Sequence, residues 1–243
     1  MWQRSVDKQM GKGRLKRKLL LGILLALGAY LAYEVVTFPR VESLVKENPA
    51  ATAWMEMRDA EARAKGKHPR HLQIWVPLQT ISPNLKNAVL IAEDAAFFQH
   101  EGLDYNEIRE AIKINAEKLE FARGASTITQ QLAKNLYLSP SKNPLRKLKE
   151  LAITFALERH LTKKRIFEIY LNVIEWGDGV YGAEAAARTY YGKSCASLSE
   201  EEAAALAAVI INPRRYSPVE QGKRIHNRVA MILARMQKYR YYR

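Results

Sequence analysis

Fifteen consecutive residues, Leu19 to Tyr33 (LLLGILLALGAYLAY), carry no charge, and Val35 to Phe38 extend the apolar run past a single Glu34. A helix of about twenty apolar residues is about 30 Å long, the thickness of a bilayer's hydrocarbon layer. The run reaches that length if Glu34 lies at the interface, with Tyr30 and Tyr33 as interfacial aromatics. Arg14, Lys16, Arg17 and Lys18 precede it, and flanking cations tend to stay in the cytoplasm, which puts the rest of the chain outside. A secretory signal peptide has a similar profile, but no small-x-small cleavage site follows the run. Residues 19–38 are therefore expected to be a retained transmembrane anchor, and residues 1–18 a basic cytoplasmic tail.

The formal charge of +14 on 243 residues suggests a phosphate-bearing partner until it is located. The first 18 residues hold seven Lys/Arg against Asp7, and residues 214–243 hold nine against Glu220, leaving 23 basic and 23 acidic residues between. The excess is terminal, and beside an apolar anchor it fits anionic lipid headgroups better than nucleic acid. Cys195 is the one cysteine, so neither an intrachain disulfide nor a thiolate metal cluster can form. An exported domain without disulfides depends on its apolar core.

Residues 39–71 read as a membrane-proximal linker with helical pieces, Val41 to Glu47 and Thr52 to Lys65, closed by the basic loop Gly66 to His71. Ile74 to Leu78 is the only convincing extended run, so the remainder should be mainly α. Ser82-Pro83 supplies an N-cap and a first-turn proline for a helix leading to Glu93. Further helices are expected at Tyr105 to Leu119, Ile128 to Leu136, Arg146 to Leu161, Lys163 to Val173, Gly182 to Tyr191, Glu200 to Ile211 and Ile225 to Tyr239. Glu117 to Arg123 looks mobile, and Ser139-Pro140 and Asn143-Pro144 break the chain between two helices. Ser199 with Glu202 makes a capping box. No internal repeat and no Gly-rich phosphate fingerprint is present, so a doubly wound nucleotide fold is not supported.

Chemistry concentrates in Asn87 to Asn115. The apolar run Ala88 to Ala92 ends in Glu93 and Asp94, and on a continuing helix Glu93, Phe97 and His100 would share one face. A carboxylate against apolar walls gains proton affinity, which suits general acid/base work. A solvated acidic pair at a helix end is the plainer alternative. Gly124 to Leu138 (GASTITQQLAKNLYL) sets Ser126, Thr127, Thr129, Gln130 and Gln131 at a helix start, with Lys134 on the face of the amides; such a cluster can grip a phosphate or a sugar. Arg146 and Glu150 stand at i and i+4, which by spacing alone is a surface ion pair. Tyr170 to Lys193 threads glycines between aromatics, a scaffold pattern of tight turns and close approaches.

Taken together, EDAAFFQHEG, GASTITQQLAKN, RKLKE, IFEIYLNVIEWGDGVYGAEAAARTYYGK and LSEEEAAALAAVIINPRRYSP resemble, in order and spacing, the five motifs of the peptidoglycan glycosyltransferase family. The short remainder after the last motif resembles the monofunctional biosynthetic form. The resemblance implies a lysozyme-like, two-lobed, mainly α glycosyltransferase domain at residues 72–235, preceded by the single N-terminal transmembrane helix and followed by a basic tail at 236–243. It implies polymerisation of lipid II into glycan strands with release of undecaprenyl diphosphate. It also implies a bacterial cytoplasmic (inner) membrane location with the catalytic domain on the outer, periplasmic side.

By the same resemblance Glu93 is the catalytic base and Glu150 assists at the donor diphosphate. Asp94, Phe97, His100, Thr127, Gln131, Lys134, Asn135 and Arg146 become substrate-binding positions. The implied partners are lipid II, the growing lipid-linked glycan, the membrane and other cell-wall synthesis proteins, with no nucleic acid. A divalent cation (Mg²⁺ or Mn²⁺) has a place in that chemistry, and no organic cofactor does. A lytic, lysozyme-like enzyme acting on finished peptidoglycan is the alternative. The residue types favour transfer: a glycosidase needs a carboxylic acid to protonate its leaving group, whereas a diphosphate leaves as an anion that cations such as Lys134 and Arg146 can stabilise.

Overall fold

The computed structural model describes residues 2–118, 125–139, 144–220 and 222–242. It divides into two compact units, Met1–Arg40 and Val41–Arg243. The first is helix α1 (Trp2–Val36). Its apolar side chains face outward, with Leu25 74% and Val36 84% exposed, and it is long and apolar enough to cross a membrane.

The second unit is helical with one small sheet. In chain order it contains α2 (Ala53–Ala64), β1 (Leu72–Gln73), α3 (Pro83–Glu93), α4 (Tyr105–Lys118), α5 (Ile128–Tyr137), α6 (Pro144–His160), α7 (Lys163–Val173), β2 (Glu175–Gly177), β3 (Val180–Tyr181), α8 (Ala183–Tyr191), α9 (Glu200–Val209) and α10 (Lys223–Lys238). The expected helices are present with shifted ends. Most of the stretch expected to be mobile, together with Gly124, Pro140 and Asn143, lies outside the described residues.

Local chemistry explains the helix starts. Ser82 accepts from the Leu85 N–H with Pro83 in the first turn, and Thr127 with Gln130 and Ser199 with Glu202 form reciprocal capping boxes. In α9 the alanines from Ala203 to Ala208 are all buried, and their small size lets α3 and α10 pack closely on that helix. A second group joins α5 to α2, α6 and α7 around Ile128, Leu132, Phe167 and Tyr170, all fully buried.

The expected strand lies elsewhere. Ile74 to Leu78 does not form the strand: the sheet has the order β1-β3-β2, with Leu72 paired to Val180 in parallel and Glu175 to Tyr181 antiparallel. Side chains of α7 take the place of a neighbouring strand for the Ile74 to Leu78 segment. Asn172 both accepts from the Val76 N–H and donates to its carbonyl, at 2.9 Å each, and Glu168 accepts from the Leu78 N–H at 2.7 Å. The β2–β3 turn needs glycine at Gly179, where φ is +68° and a Cβ would lie 2.3 Å from the Arg70 carbonyl oxygen.

Both ends of the second unit pack into it. Val41, Leu44 and Met55 are buried in the core, so the stretch from residue 41 onward belongs to the compact unit. At the other end α10 continues through the buried Met236 to Lys238, and the chain then docks on α3. The Tyr241 and Tyr242 N–H groups donate to Asn87 Oδ1 at 3.0 and 2.8 Å, and Asn87 Nδ2 donates to the Tyr242 carbonyl at 2.8 Å. Several C-terminal cations are likewise paired within the domain: Arg214 with Glu61 and Asp178, Arg228 with Glu93, and Arg240 with Glu200.

Candidate active site

Seven of the eleven residues of α3, Leu85 to Ile91, are buried, and this anchored helix carries Glu93 as its last residue into a cavity of about 550 Å³. The helix stops there: Asp94 leaves helical geometry (φ −165°, ψ 81°). Glu93, Phe97 and His100 therefore do not share a helical face, as the spacing had suggested. Asp94 has instead turned to other partners, accepting from the Ile128 N–H through Oδ2 at 3.0 Å and pairing with His100 Nε2. The first turn of α5 is thus tied to the end of α3 by a protein carboxylate, at the place where a ligand anion had been expected.

The Glu93 side chain is 11% exposed and both its oxygens are held. Arg228 Nη2 on α10 donates to Oε1 at 2.9 Å, and Gln131 Nε2 on α5 donates to Oε2 at 2.9 Å. Burial pushes the Glu93 pKa above the ordinary 4.5; the Gln131 and Arg228 hydrogen bonds and the Arg228 charge pull it back, and neighbouring Asp94 adds to the rise. Its place in the last turn of a helix acts in the same direction as burial, because the negative end of the helix dipole disfavours a carboxylate. A carboxylate of raised proton affinity whose ionised form is supported by two donors is suited to work as a general base.

Lys134 lies one turn beyond Gln131 on α5. Burial and the neighbouring Arg146 and Lys147 lower its pKa, while Glu150 and Glu93 raise it, so it stands in the field of both glutamates. Its ammonium sits 5.6 Å from the Trp54 ring centre. On α6, Glu150 is 3% exposed, and its oxygens accept from Arg146 Nη1 at 2.9 Å and from Lys147 Nζ. The carboxylate is buried while Arg146 and Lys147, which pair with it, are 23% and 46% exposed, and Lys134 lies within its electrostatic reach, so this is more than a surface i,i+4 pair. The surplus positive charge can meet a diphosphate.

Five of the expected binding residues have partners within the protein, and two of them, Asp94 and Thr127, also line the cavity. Phe97 is fully buried against Phe167, and His100 is engaged by Asp94. Thr127 accepts from the Gln130 N–H and donates to the Gly102 carbonyl at 2.7 Å, so both roles of its hydroxyl are used, and Asp94 is committed as described. Asn135 donates to the Gln131 carbonyl within its own helix at 2.8 Å.

A divalent cation fits this donor set poorly. Glu150 already accepts from two cations, which would repel a third. Asp94, His100 and Asp104 place ligand atoms within 4.8 Å of one another, but Asp94 serves Ile128 and His100, and Asp104 caps α4 through the Asn106 and Glu107 N–H groups.

Sequence reasoning passed over Arg228 and Tyr170. Arg228 follows Ile225 by three positions and precedes Ile232 by four, so an arginine on the apolar face of an amphipathic helix was the available signal. Tyr170 donates to Gln131 Oε1 at 2.9 Å and is fully buried. Nothing in its local pattern separates it from a core aromatic.

Known proteins are similar to this chain along most of its length. The transglycosylase family model matches residues 61–237. A biosynthetic peptidoglycan transglycosylase of Dechloromonas aromatica is 47% identical over 224 residues, covering 92% of this chain and 96% of that protein. Proteins of the same name from Nitrosospira multiformis (49% over 189 residues, 78% of this chain and 82% of that protein) and Thiobacillus denitrificans (45% over 214 residues, 88% and 92%) are similar along most of their length. With its family model covering most of the domain and relatives of this identity aligned nearly end to end, the chain belongs to the transglycosylase family.

Proposed function

We propose that the protein is a peptidoglycan glycosyltransferase that polymerises lipid II at the outer face of the cytoplasmic membrane, α1 serving as its anchor. In this reading Glu93 takes the proton from the 4-hydroxyl of an incoming lipid II. That oxygen attacks C1 of the growing chain, the bond from C1 to the diphosphate breaks with inversion, and undecaprenyl diphosphate departs. Lys134 and Arg146 meet the charge that develops on the diphosphate, and Glu150 orients Arg146 and Lys147.

The observation that carries the reading is the pairing of one buried, doubly held carboxylate with a separate cluster of cations. Hydrolysis of a glycan bond would need a second carboxyl group free to donate a proton to the leaving sugar. Asp94, Asp104 and Glu150 all accept from other donors. The relatives' name, biosynthetic peptidoglycan transglycosylase, supports synthesis over lysis. Incubating the full chain in detergent with lipid II tests it. Polymer with released diphosphate lipid is the expected product, and cleavage of preformed glycan without polymerisation would favour the lytic class.

A further inference from the structure

The Gln131 carboxamide can face Glu93 with either its NH₂ or its oxygen, and the two faces have opposite consequences. The NH₂ supports a carboxylate, whereas the oxygen repels a carboxylate and supports a carboxylic acid. The structure places Nε2 2.9 Å from Glu93 Oε2 and turns Oε1 to the Tyr170 hydroxyl, also at 2.9 Å. Tyr170 is fully buried on α7, and the Gln131 oxygen is the acceptor for its one hydroxyl hydrogen. Flipping the amide would leave that hydrogen buried without an acceptor, which is costly in a site shielded from water.

We propose that Tyr170 is a positioning residue for the transfer reaction: its phenol fixes the orientation of Gln131, and through it holds Glu93 in the form that can accept a proton. The inference rests on the reading of Glu93 as the base. Burial and the nearby Glu93 and Asp94 charges push the Tyr170 pKa well above 10, so the phenol remains a hydrogen-bond donor across the working range. The other charged groups on the walls around Glu93 are Arg228 and Arg235 of α10, Lys134 of α5, Asp94 beside it, and Asp104 and Glu107 across the cavity. None of them is changed by removing the Tyr170 hydroxyl.

The test is the pH profile of kcat/KM for lipid II polymerisation by the full chain, comparing wild type with Tyr170→Phe. The Phe ring keeps the core filled, while the amide loses the partner that selected its orientation. The acid limb is expected to move up by about one pH unit, with the rate on the alkaline plateau within about twofold of wild type. In a Gln131→Met background, Tyr170→Phe should produce no further movement of the limb. A purely structural tyrosine would lower the melting temperature or the plateau rate and leave the limb in place, and that result overturns the inference. So does an equal movement in the Gln131→Met background. A Glu93→Gln variant run alongside separates the two failures, since its retained activity would refute Glu93 as base whatever Tyr170 does.

Discussion

Arg228 supports the ionised form of Glu93 through both its charge and a hydrogen bond, and replacing it by Gln should move the acid limb of activity upward. Arg228 Nη2 is the donor to Glu93 Oε1 at 2.9 Å, and the two side chains are 22% and 11% exposed. A hydrogen bond to a charged group contributes about 1.5–3 kcal/mol, and one pH unit corresponds to about 1.4 kcal/mol. Full loss would move the acid limb by about 1–2 pH units. Residual exposure of Arg228, and the neutral donor that Gln can still offer, put the expected value near the lower end. Removing a cation beside a carboxylate favours the protonated form, so the shift is upward. Activity measured below the new midpoint should fall about tenfold per unit, with recovery at alkaline pH. Arg228→Lys should move the limb less, because the charge is kept while the fork geometry is lost. The assay is kcat/KM against pH on lipid II with the full chain in detergent. A uniform loss of rate with an unmoved limb would refute the reasoning and mean that Arg228 acts on substrate or only on packing; a downward shift would contradict the electrostatics outright.

Two further outcomes follow from the geometry. Lys134→Ala and Arg146→Lys should each lower kcat more than they raise KM, because diphosphate charge grows in the transition state, and steady-state kinetics that show near-normal kcat in both would remove the diphosphate clamp. Asn87→Ala breaks the three hydrogen bonds that dock the C-terminal residues on α3, and at about 2–3 kcal/mol it should lower the melting temperature by about 5–10 °C; an unchanged melting temperature would mean that the docked end contributes nothing.

What could be read from the sequence, and what could not, divides along physical lines. The helices were legible because their caps are local: Ser82, Thr127 and Ser199 each satisfy a backbone donor three residues away. The N-terminal apolar helix was legible because fifteen consecutive uncharged residues leave few alternatives. The two-residue strands were not, since their pairing joins Leu72 to Val180 across the chain and the neighbouring segment is held by side chains of Asn172 and Glu168. Spacing misplaced Phe97 and His100 because Asp94 ends the helix to reach Ile128, a contact with a partner 34 residues away. Glu93, Gln131, Lys134, Arg146 and Glu150 were legible as a set through the family resemblance. The partners that hold Glu93 from α10 and steady Gln131 from α7, Arg228 and Tyr170, come from helices whose own patterns read as structural.

The central claim is that Glu93 is the base of a lipid II polymerase. Measuring glycan polymer formed from lipid II by the full chain and by Glu93→Gln, after confirming by circular dichroism that both are folded, tests it most directly. The Gln side chain keeps the shape but loses the basicity. A fall of about 10²–10⁴-fold with the fold intact is predicted, and retention of more than about a tenth of the wild-type rate would contradict the account.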